Sequence, residues 1–287
     1  MAGEIPRLNS IIRTLEQGQA AFTTFTTPDV ESALALSASA YDGVVYELEH
    51  NPWDIRALKD AMQYMLSRRQ IAQGGTIANN VTPIVRIPPN GAEHNQWFAK
   101  QALDIGAYGI VWPHVDTVDQ AYNAVGACRY PRLPEAPIYE PKGLRGDAPG
   151  AAARYWGLTN QEYYAKADVW PLDPNGEILV VLMIESTQAI SNLREMLKQV
   201  PGIGCILIGE GDLSQELGHP RDYDYPTVAE AKHEVVRICK EFNVPVGHPH
   251  VDSDNVEEVL KEGYRFLMPS SGRNYGSLTK GRQLAGR

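Results

Sequence analysis

EILVVLMIES, residues 177–186, places seven consecutive apolar residues between two glutamates. A short apolar run of this kind indicates a buried strand. Similar runs recur along the chain, and the other seven are AAFTTF (20–25), GVVYEL (43–48), TPIVRI (82–87), YGIVWP (108–113), GCILIG (204–209), VPVGH (244–248) and RFLMP (265–269). The sequence therefore predicts eight strands.

Amphipathic stretches that favour helices separate these runs, at 54–72, 92–105, 117–127, 187–199, 226–242 and 254–262. Capping side chains support two of them: Asp116 or Thr117 opens one, and Asp252 or Ser253 opens another. Such regular alternation predicts an α/β fold, a (β/α)8 TIM barrel forming a single domain over residues 1–287. A doubly wound open sheet is the main alternative, but no GxGxxG motif follows the first strand.

One connection, residues 131–176, is far longer than the others and is rich in proline and aromatic residues. We expect this excursion of loop and helix after strand four to belong to the same domain, because a new strand signal follows it directly. A connection of this length is typical of a lid, a binding loop or an interface.

Composition narrows the classes of function. A net charge of −9 argues against nucleic acid or an anionic membrane as a partner. The sequence contains no apolar run of about 18 residues, and its first residues lack a signal-peptide core, so we expect no membrane association. Three scattered cysteines without CxxC spacing indicate reduced thiols in a cytoplasmic protein.

Polar residues recur where the predicted strands end. Glu47 and His50 follow strand two, Arg86 lies on strand three, and Glu185 and Asp212 follow strands five and six. Each alone is typical of a solvated strand exit or a helix N-cap. In a TIM barrel these ends form one rim that carries the chemistry, so together they predict a functional site.

Glu185 and Asp212 lie one strand–helix unit apart, so their carboxylates can converge. Two carboxylates suit a hard divalent ion, Mg2+ or Mn2+, with Co2+ as a further candidate. The alternative is a solvent-exposed pair, or a structural salt bridge to Arg145 or Arg154. The glycine amides of GEGD (209–212) form a set of donors suited to an anionic carboxylate.

Several motifs in register carry a family resemblance: YELEHNP, PIVRIP, LDIGAYGIVWPHV, GLRG, MIES and LIGEGDLSQELG. Over about residues 20–270 the chain resembles the HpcH/HpaI aldolase family, whose members are metal-dependent class II pyruvate aldolases. The resemblance implies that Glu185 and Asp212 ligate the metal and that Arg86 holds the keto oxygen of a 2-oxo acid. The amides of Gly211 and Asp212 would receive its carboxylate. His50 would be the base for the aldol hydroxyl proton, directly or through water at the metal.

Further assignments follow from the same resemblance. The family usually has Asp-Gly-Glu-His where this chain has Glu47-Leu48-Glu49-His50. Glu47 would then orient His50, and Glu49 would lie close to the water shell of the metal. Asp104 matches a second acidic position, expected in a helix on the same rim.

Two other residues depart from the family pattern. Glu210 stands where proline is usual and would add negative charge beside the metal. His114 ends strand four, where it would contact substrate or bond to backbone as a buried histidine. Family members resemble trimer-of-dimer hexamers with an exchanged C-terminal helix, which predicts a homo-oligomer; here the segment after residue 270 is short and basic.

The leading hypothesis is a lyase that cleaves a 4-hydroxy-2-oxo acid to pyruvate, or a close 2-oxo acid, and an aldehyde. A Schiff-base aldolase needs a lysine at a strand end, but Lys100, Lys142, Lys166 and Lys240 all fall in predicted helices or loops. An acyl-CoA lyase of the citryl- or malyl-CoA type would place its nucleotide path along the excursion. The third alternative is a non-catalytic barrel that binds a metabolite.

Overall fold

The computed structural model describes residues 5–269 and 275–287. Within these ranges the strands are β1 (Ala21–Thr26), β2 (Gly43–Glu47), β3 (Thr82–Arg86), β4 (Gly109–Trp112), β5 (Val169–Trp170), β6 (Ile178–Ile184), β7 (Cys205–Ile208), β8 (Val246–Val251) and β9 (Phe266–Pro269). The helices are α1 (Ser10–Glu16), α2 (Val30–Ser37), α3 (Ile55–Tyr64), α4 (Arg68–Gly74), α5 (Gln96–Asp104), α6 (Val118–Ala127), α7 (Gly150–Trp156), α8 (Asn160–Lys166), α9 (Thr187–Gln199), α10 (Glu210–Glu216), α11 (Pro226–Glu241), α12 (Val256–Glu262) and α13 (Gly276–Leu284). A 3-10 turn covers Gly91–Glu93.

Eight of these strands close into a parallel barrel. β1 to β4 pair in chain order, β4 pairs with β6, and β6 to β9 continue round to β1. All seven residues of β6 are buried, as expected for a strand covered on both faces. The predicted (β/α)8 TIM barrel is confirmed, and each of the eight apolar runs corresponds to one barrel strand.

Each of the six predicted stretches contains a helix, one of them in two parts, and α1, α2, α7, α8, α10 and α13 lie outside these stretches. The stretch 54–72 forms two helices, α3 and α4, because Ser67 caps a new helix by accepting the N–H of Gln70. Thr117 caps α6, as predicted. Asp252 accepts the N–H groups of Asp254 and Asn255, and thereby organises the turn that leads into α12. Among the described residues, none of the helices has the length and apolar character needed to cross a membrane.

The excursion at 131–176 contains α7, α8 and the two-residue strand β5, which pairs with the start of β6. Trp156 of α7 is fully buried and stacks on Tyr108 with ring centroids 4.4 Å apart. Its Nε1 donates to the carbonyl of Gly106 over 2.8 Å. These contacts lie just before β4 begins, so the helical part packs at the end of the barrel opposite the predicted site and is not a lid.

The C-terminal helix α13 packs on its own barrel. Leu278 is buried, and Gly281 lies so close to Phe22 that a Cβ there would be 2.7 Å from the ring. Arg287 pairs with Asp42 just before β2. Residues 270–274, which begin the segment considered for exchange between subunits, lie outside the described residues.

Candidate metal centre and active site

Three side chains meet where β4, β6 and β7 end. Glu185 follows β6 directly, Asp212 lies in the first turn of α10, and His114 follows β4. One ligand atom from each residue lies within 4.8 Å of the others. The structure therefore brings Glu185 and Asp212 together as the sequence predicted. It adds His114, for which the sequence indicated only a contact with substrate or with backbone.

A glycine makes room for this cluster. The side chain of Glu185 lies against Gly209, where a Cβ would be 2.1 Å from Oε2 and 2.3 Å from Cγ of the glutamate. Any larger residue at position 209 would push the carboxylate aside. The sequence predicted the glycines of GEGD only as amide donors, although their place directly after a strand was a signal for this packing role.

The surroundings of Glu185 favour a cation. The residue is only 3% exposed, and burial raises the pKa of its carboxyl to about 7. The His114 imidazole and the hydrogen bond from the His114 N–H, 2.9 Å long, oppose this rise in pKa. The negative charges of Glu49 and Asp212 add to it. A dication placed between these oxygens would offset both the burial and the repulsion, so the residues present fit a divalent metal.

The alternative explanation, a salt bridge from these carboxylates to Arg145 or Arg154, does not match the contacts, because the ion-pair partner of both carboxylates in the described structure is His114. Arg145 is buried and donates to Asp104 and to the hydroxyl of Tyr163. Its guanidinium also lies over the ring of Tyr130, 4.4 Å from the centroid. Arg145 is therefore committed to the packing of the excursion.

Arg86 is held firmly at the end of β3. Glu47 and Arg86 are register partners of β2 and β3, and Nε of Arg86 donates to Oε2 of Glu47 over 2.6 Å. Nη1 of Arg86 lies 2.9 Å from Oε2 of Glu49, and the guanidinium lies over the ring of Phe25. Burial raises the pKa of Glu49, while the charges of Arg86 and His50 oppose that rise. Arg86 and Glu47 thus lie together at the strand ends, as the sequence predicted, whereas the contact of Arg86 with Glu49 was not predicted.

Contacts of Glu47 differ from the expectation that it orients the His50 ring. Oε1 of Glu47 accepts the backbone N–H groups of Glu49 and His50, over 2.8 and 3.1 Å. The imidazole itself is 67% exposed, and its Nε2 lies 3.6 Å from Oε2 of Glu49. The Glu47 side chain is one methylene longer than the aspartate that is usual in the family. It folds back over the turn that follows β2, because its second carboxylate oxygen is bound by Arg86, its register partner on β3.

The structure does not place Asp104 on the predicted rim. Asp104 is the last residue of α5, which runs from the C-terminal end of β3 back toward the start of β4. Its carboxylate accepts two hydrogen bonds from Arg145, of 2.9 and 3.2 Å. Burial raises its pKa, and the charge of Arg145 opposes that rise. The expectation was wrong because the sequence predicted the helix but did not show that Asp104 lies at its C-terminal end.

The side chain of Glu210 points away from the metal cluster, beside which the sequence predicted it. Its side chain, 1% exposed, accepts from Nζ of Lys232 at 2.7 Å and lies 2.6 Å from Nδ1 of His250. Burial alone would raise the pKa of Glu210, but the hydrogen bond from His250 and the charges of His248 and Lys232 lower it to about 2. Its charge is thus neutralised between β8 and α11 and does not add to the charge of the metal cluster.

Gly211 borders open space. A Cβ at this position would have no heavy atom within 4 Å, and the N-cap residue Gly209 has no side chain to cap the helix. The contact of the Gly211 and Asp212 amides with a substrate carboxylate stays a prediction.

Comparison with known proteins matches the chain to one protein family, to relatives in sequence and to solved structures. The sequence profile of the HpcH/HpaI aldolase/citrate lyase family matches residues 22–273. Over 232 residues the chain is 32% identical to a 2-keto-3-deoxy-L-rhamnonate aldolase of Klebsiella pneumoniae subsp. pneumoniae, covering 80% of this chain and 74% of the relative. An HpcH/HpaI aldolase/citrate lyase family protein of Burkholderia cenocepacia, 27% identical, has a crystal structure that matches with a TM-score of 0.75 over 96% of this chain and 97% of that chain. Macrophomate synthase has the same fold, with a TM-score of 0.67 at 23% identity over 98% of this chain and 88% of that chain.

Proposed function

The chain belongs to the HpcH/HpaI aldolase/citrate lyase family, and from this we propose that it is a divalent-metal-dependent aldolase, a carbon–carbon lyase. Its reaction is the reversible cleavage of a 4-hydroxy-2-oxo acid to pyruvate, or a close 2-oxo acid, and an aldehyde. The observation that carries the proposal is the convergence of Glu185 and Asp212 at the barrel rim. The relative from Klebsiella pneumoniae, by its name, acts on a 2-keto-3-deoxy acid, which supports this substrate class.

Glu185 and Asp212 hold the metal, for which Mg2+ or Mn2+ is the first choice and Co2+ a further candidate. A divalent ion there supplies positive charge next to the oxygen that becomes an enolate when the carbon–carbon bond breaks. Arg86 donates to the same keto oxygen, and its salt bridges to Glu47 and Glu49 hold the guanidinium in place beforehand. The amides of Gly211 and Asp212 receive the carboxylate of the 2-oxo acid.

His50 is the proposed base for the hydroxyl proton of the substrate. Its exposed imidazole can receive a proton at Nε2, and the adjacent Glu49 carboxylate stabilises the resulting cation. Glu47 acts indirectly, because it fixes both the turn that carries His50 and the orientation of Arg86. This role replaces the direct contact with the imidazole that the sequence predicted for Glu47.

The other enzyme classes receive less support. A Schiff-base aldolase needs a desolvated lysine at a strand end, and the strands of the described chain contain none. An acyl-CoA lyase would need basic residues along the excursion; Arg145 is buried in a salt bridge with Asp104, which leaves only Lys142 and Arg154 of the three residues considered for this path. A barrel that only binds a metabolite has no need of a base beside a fixed arginine at the metal rim.

Two further properties are part of the proposal. Cys128, Cys205 and Cys239 are buried free thiols, which supports a reducing compartment such as the cytoplasm. Following the family resemblance, we propose a homo-oligomer, a hexamer. Sedimentation equilibrium tests the assembly state directly.

The activity is tested with a panel of 4-hydroxy-2-oxo acids, measuring pyruvate release before and after treatment with EDTA. We expect release that EDTA abolishes and that Mn2+ or Mg2+ restores. Activity that survives EDTA and is lost on borohydride reduction in the presence of pyruvate would instead identify a Schiff-base aldolase.

A further inference from the structure

His114 has an unusual backbone conformation. Its φ is 47°, in the left-handed region that side chains other than glycine adopt at a cost in free energy. Contacts on both sides enforce it: the His114 N–H donates to Oε1 of Glu185, and its carbonyl accepts the N–H of Gly91 over 3.2 Å. Val115, the next residue, donates to the carbonyl of Met183 over 3.3 Å. Hydrogen bonds at the barrel rim thus hold the strained backbone of His114 in place.

This conformation directs the imidazole to the carboxylate pair. Nε2 of His114 lies 3.9 Å from Oε1 of Glu185 and 4.0 Å from Oδ2 of Asp212. Two atoms bound to one ion at about 2.1 Å can be up to about 4.2 Å apart. Both distances therefore fit atoms that share an ion, and they are too long for direct hydrogen bonds.

We propose that His114 is a third protein ligand of the divalent ion, which makes the centre a set of one histidine nitrogen and two carboxylate oxygens. The inference rests on the proposed metal site of Glu185 and Asp212 and adds a nitrogen donor to it. The three residues come from the ends of β4, β6 and β7, adjacent strands of the barrel, and together they would hold the ion at this part of the rim.

A nitrogen ligand has a consequence for the choice of metal. Imidazole suits later first-row metals such as Co2+ and Zn2+ better than Mg2+, which prefers oxygen ligands. We expect the ratio of the Mg2+ to the Co2+ dissociation constant to be larger in the wild-type protein than in a variant without the imidazole. An imidazolium that only pairs with the two carboxylates would leave this ratio unchanged, because its charge competes with every cation alike, and its removal would strengthen the binding of both metals.

The test is pulsed electron paramagnetic resonance of the Mn2+-loaded protein, with metal affinity measured on the same samples. His114→Asn is the main variant, because asparagine tolerates a left-handed backbone; His114→Gly is a second variant free of strain. His94→Asn is a matched control, since His94 also has a positive φ, of 53°, but pairs with the exposed Asp119. Glu185→Gln tests the carboxylate site separately.

In the wild type and in His94→Asn we expect the nitrogen-14 modulation of a coordinated imidazole. It should disappear in both His114 variants, and their Mn2+ dissociation constant should rise at least about tenfold. Bound Mn2+ without nitrogen coupling in the wild type, or coupling that persists in His114→Asn, would overturn the inference while leaving the carboxylate site intact. Wild-type protein that binds no more Mn2+ than Glu185→Gln would overturn both this inference and the proposed function.

Discussion

Glu47 and Arg86 face each other across β2 and β3, and one carboxylate of Glu47 serves both the arginine and the turn that follows its own strand. Oε2 accepts from Nε of Arg86 over 2.6 Å, while Oε1 accepts the backbone N–H of His50 over 3.1 Å. Two groups of the proposed site, the arginine and the base, are thus positioned by a residue that touches neither the metal cluster nor the imidazole.

Glu47→Gln should lower kcat/KM by about 10- to 100-fold, because an amide cannot accept hydrogen bonds at both ends and one charged partner is lost. Steady-state kinetics measure the effect, with Mn2+ affinity as a second readout that we expect to change little. Glu195→Gln, at an exposed glutamate of α9, is the control. An unchanged kcat/KM in Glu47→Gln would show that this carboxylate has no positioning role.

Arg86→Lys keeps the positive charge but removes the planar fork that pairs with Glu47 and Glu49. We expect kcat to fall by about 10²- to 10³-fold, because charge develops on the keto oxygen during the reaction. Mn2+ affinity should stay within about twofold of the wild type. A change in KM alone would mean that Arg86 binds ground state and transition state equally.

Whether the sequence predicts an element of this structure depends on how far apart in the chain the residues that stabilise it lie. The eight barrel strands could be predicted because each is a continuous apolar run that encodes its own burial. The two-residue strand β5 could not, since it exists only through pairing with β6. The division of residues 54–72 into α3 and α4 depends on one capping serine, Ser67, within an otherwise helical pattern.

The residues of the site also divide into those whose positions the sequence predicts and those whose positions it does not. Glu185 and Asp212 could be placed together because barrel topology gathers the ends of neighbouring strands at one rim. The partners of Glu210 and Asp104 could not be predicted, because Lys232 and Arg145 reach them from elements that are distant in sequence. The position of the His114 imidazole depends on a backbone angle that no sequence pattern states.

His50→Ala should lower the cleavage rate by about 10²- to 10⁴-fold if general base catalysis is its whole role. Exchange of the methyl protons of pyruvate with deuterated water, followed by NMR without aldehyde, separates two mechanisms. If His50 handles only the aldol hydroxyl, exchange persists while cleavage is lost; if it also serves the methyl proton, both fall. His94→Ala is the control, and cleavage at the wild-type rate in His50→Ala would identify β2 as an ordinary solvated strand exit.

Glu210 gives a prediction for acid stability. Its pKa is about 2 in the folded protein and near 4.5 in the unfolded chain, so the unfolded state binds more protons between these values. The carboxylate therefore contributes about 3 kcal/mol to the free energy of unfolding above pH 4.5, and this is lost as pH falls toward 2. The free energy of unfolding of Glu210→Gln should be lower than that of the wild type by about this amount at pH 7, and by less than half of it at pH 3.

Urea unfolding at several pH values measures this difference, with the exposed Glu195→Gln as the reference variant. A gap between wild type and Glu210→Gln that is the same at pH 7 and pH 3 would contradict the assigned contacts with Lys232 and His250. Because Glu210 lies away from the metal cluster, we expect Mn2+ affinity to be nearly unchanged in this variant.

The central claim is that Glu185 and Asp212 hold the ion on which carbon–carbon cleavage depends. The most direct measurement is pyruvate release from a 4-hydroxy-2-oxo acid as metal-free protein is titrated with Mn2+, for the wild type, Glu185→Gln, Asp212→Asn and the exposed control Asp119→Asn. We predict saturable, Mn2+-dependent release in the wild type and the control. Both site variants should stay folded by circular dichroism and show no release at the Mn2+ concentration that saturates the wild type. Wild-type rates in either site variant under limiting Mn2+ would contradict the account.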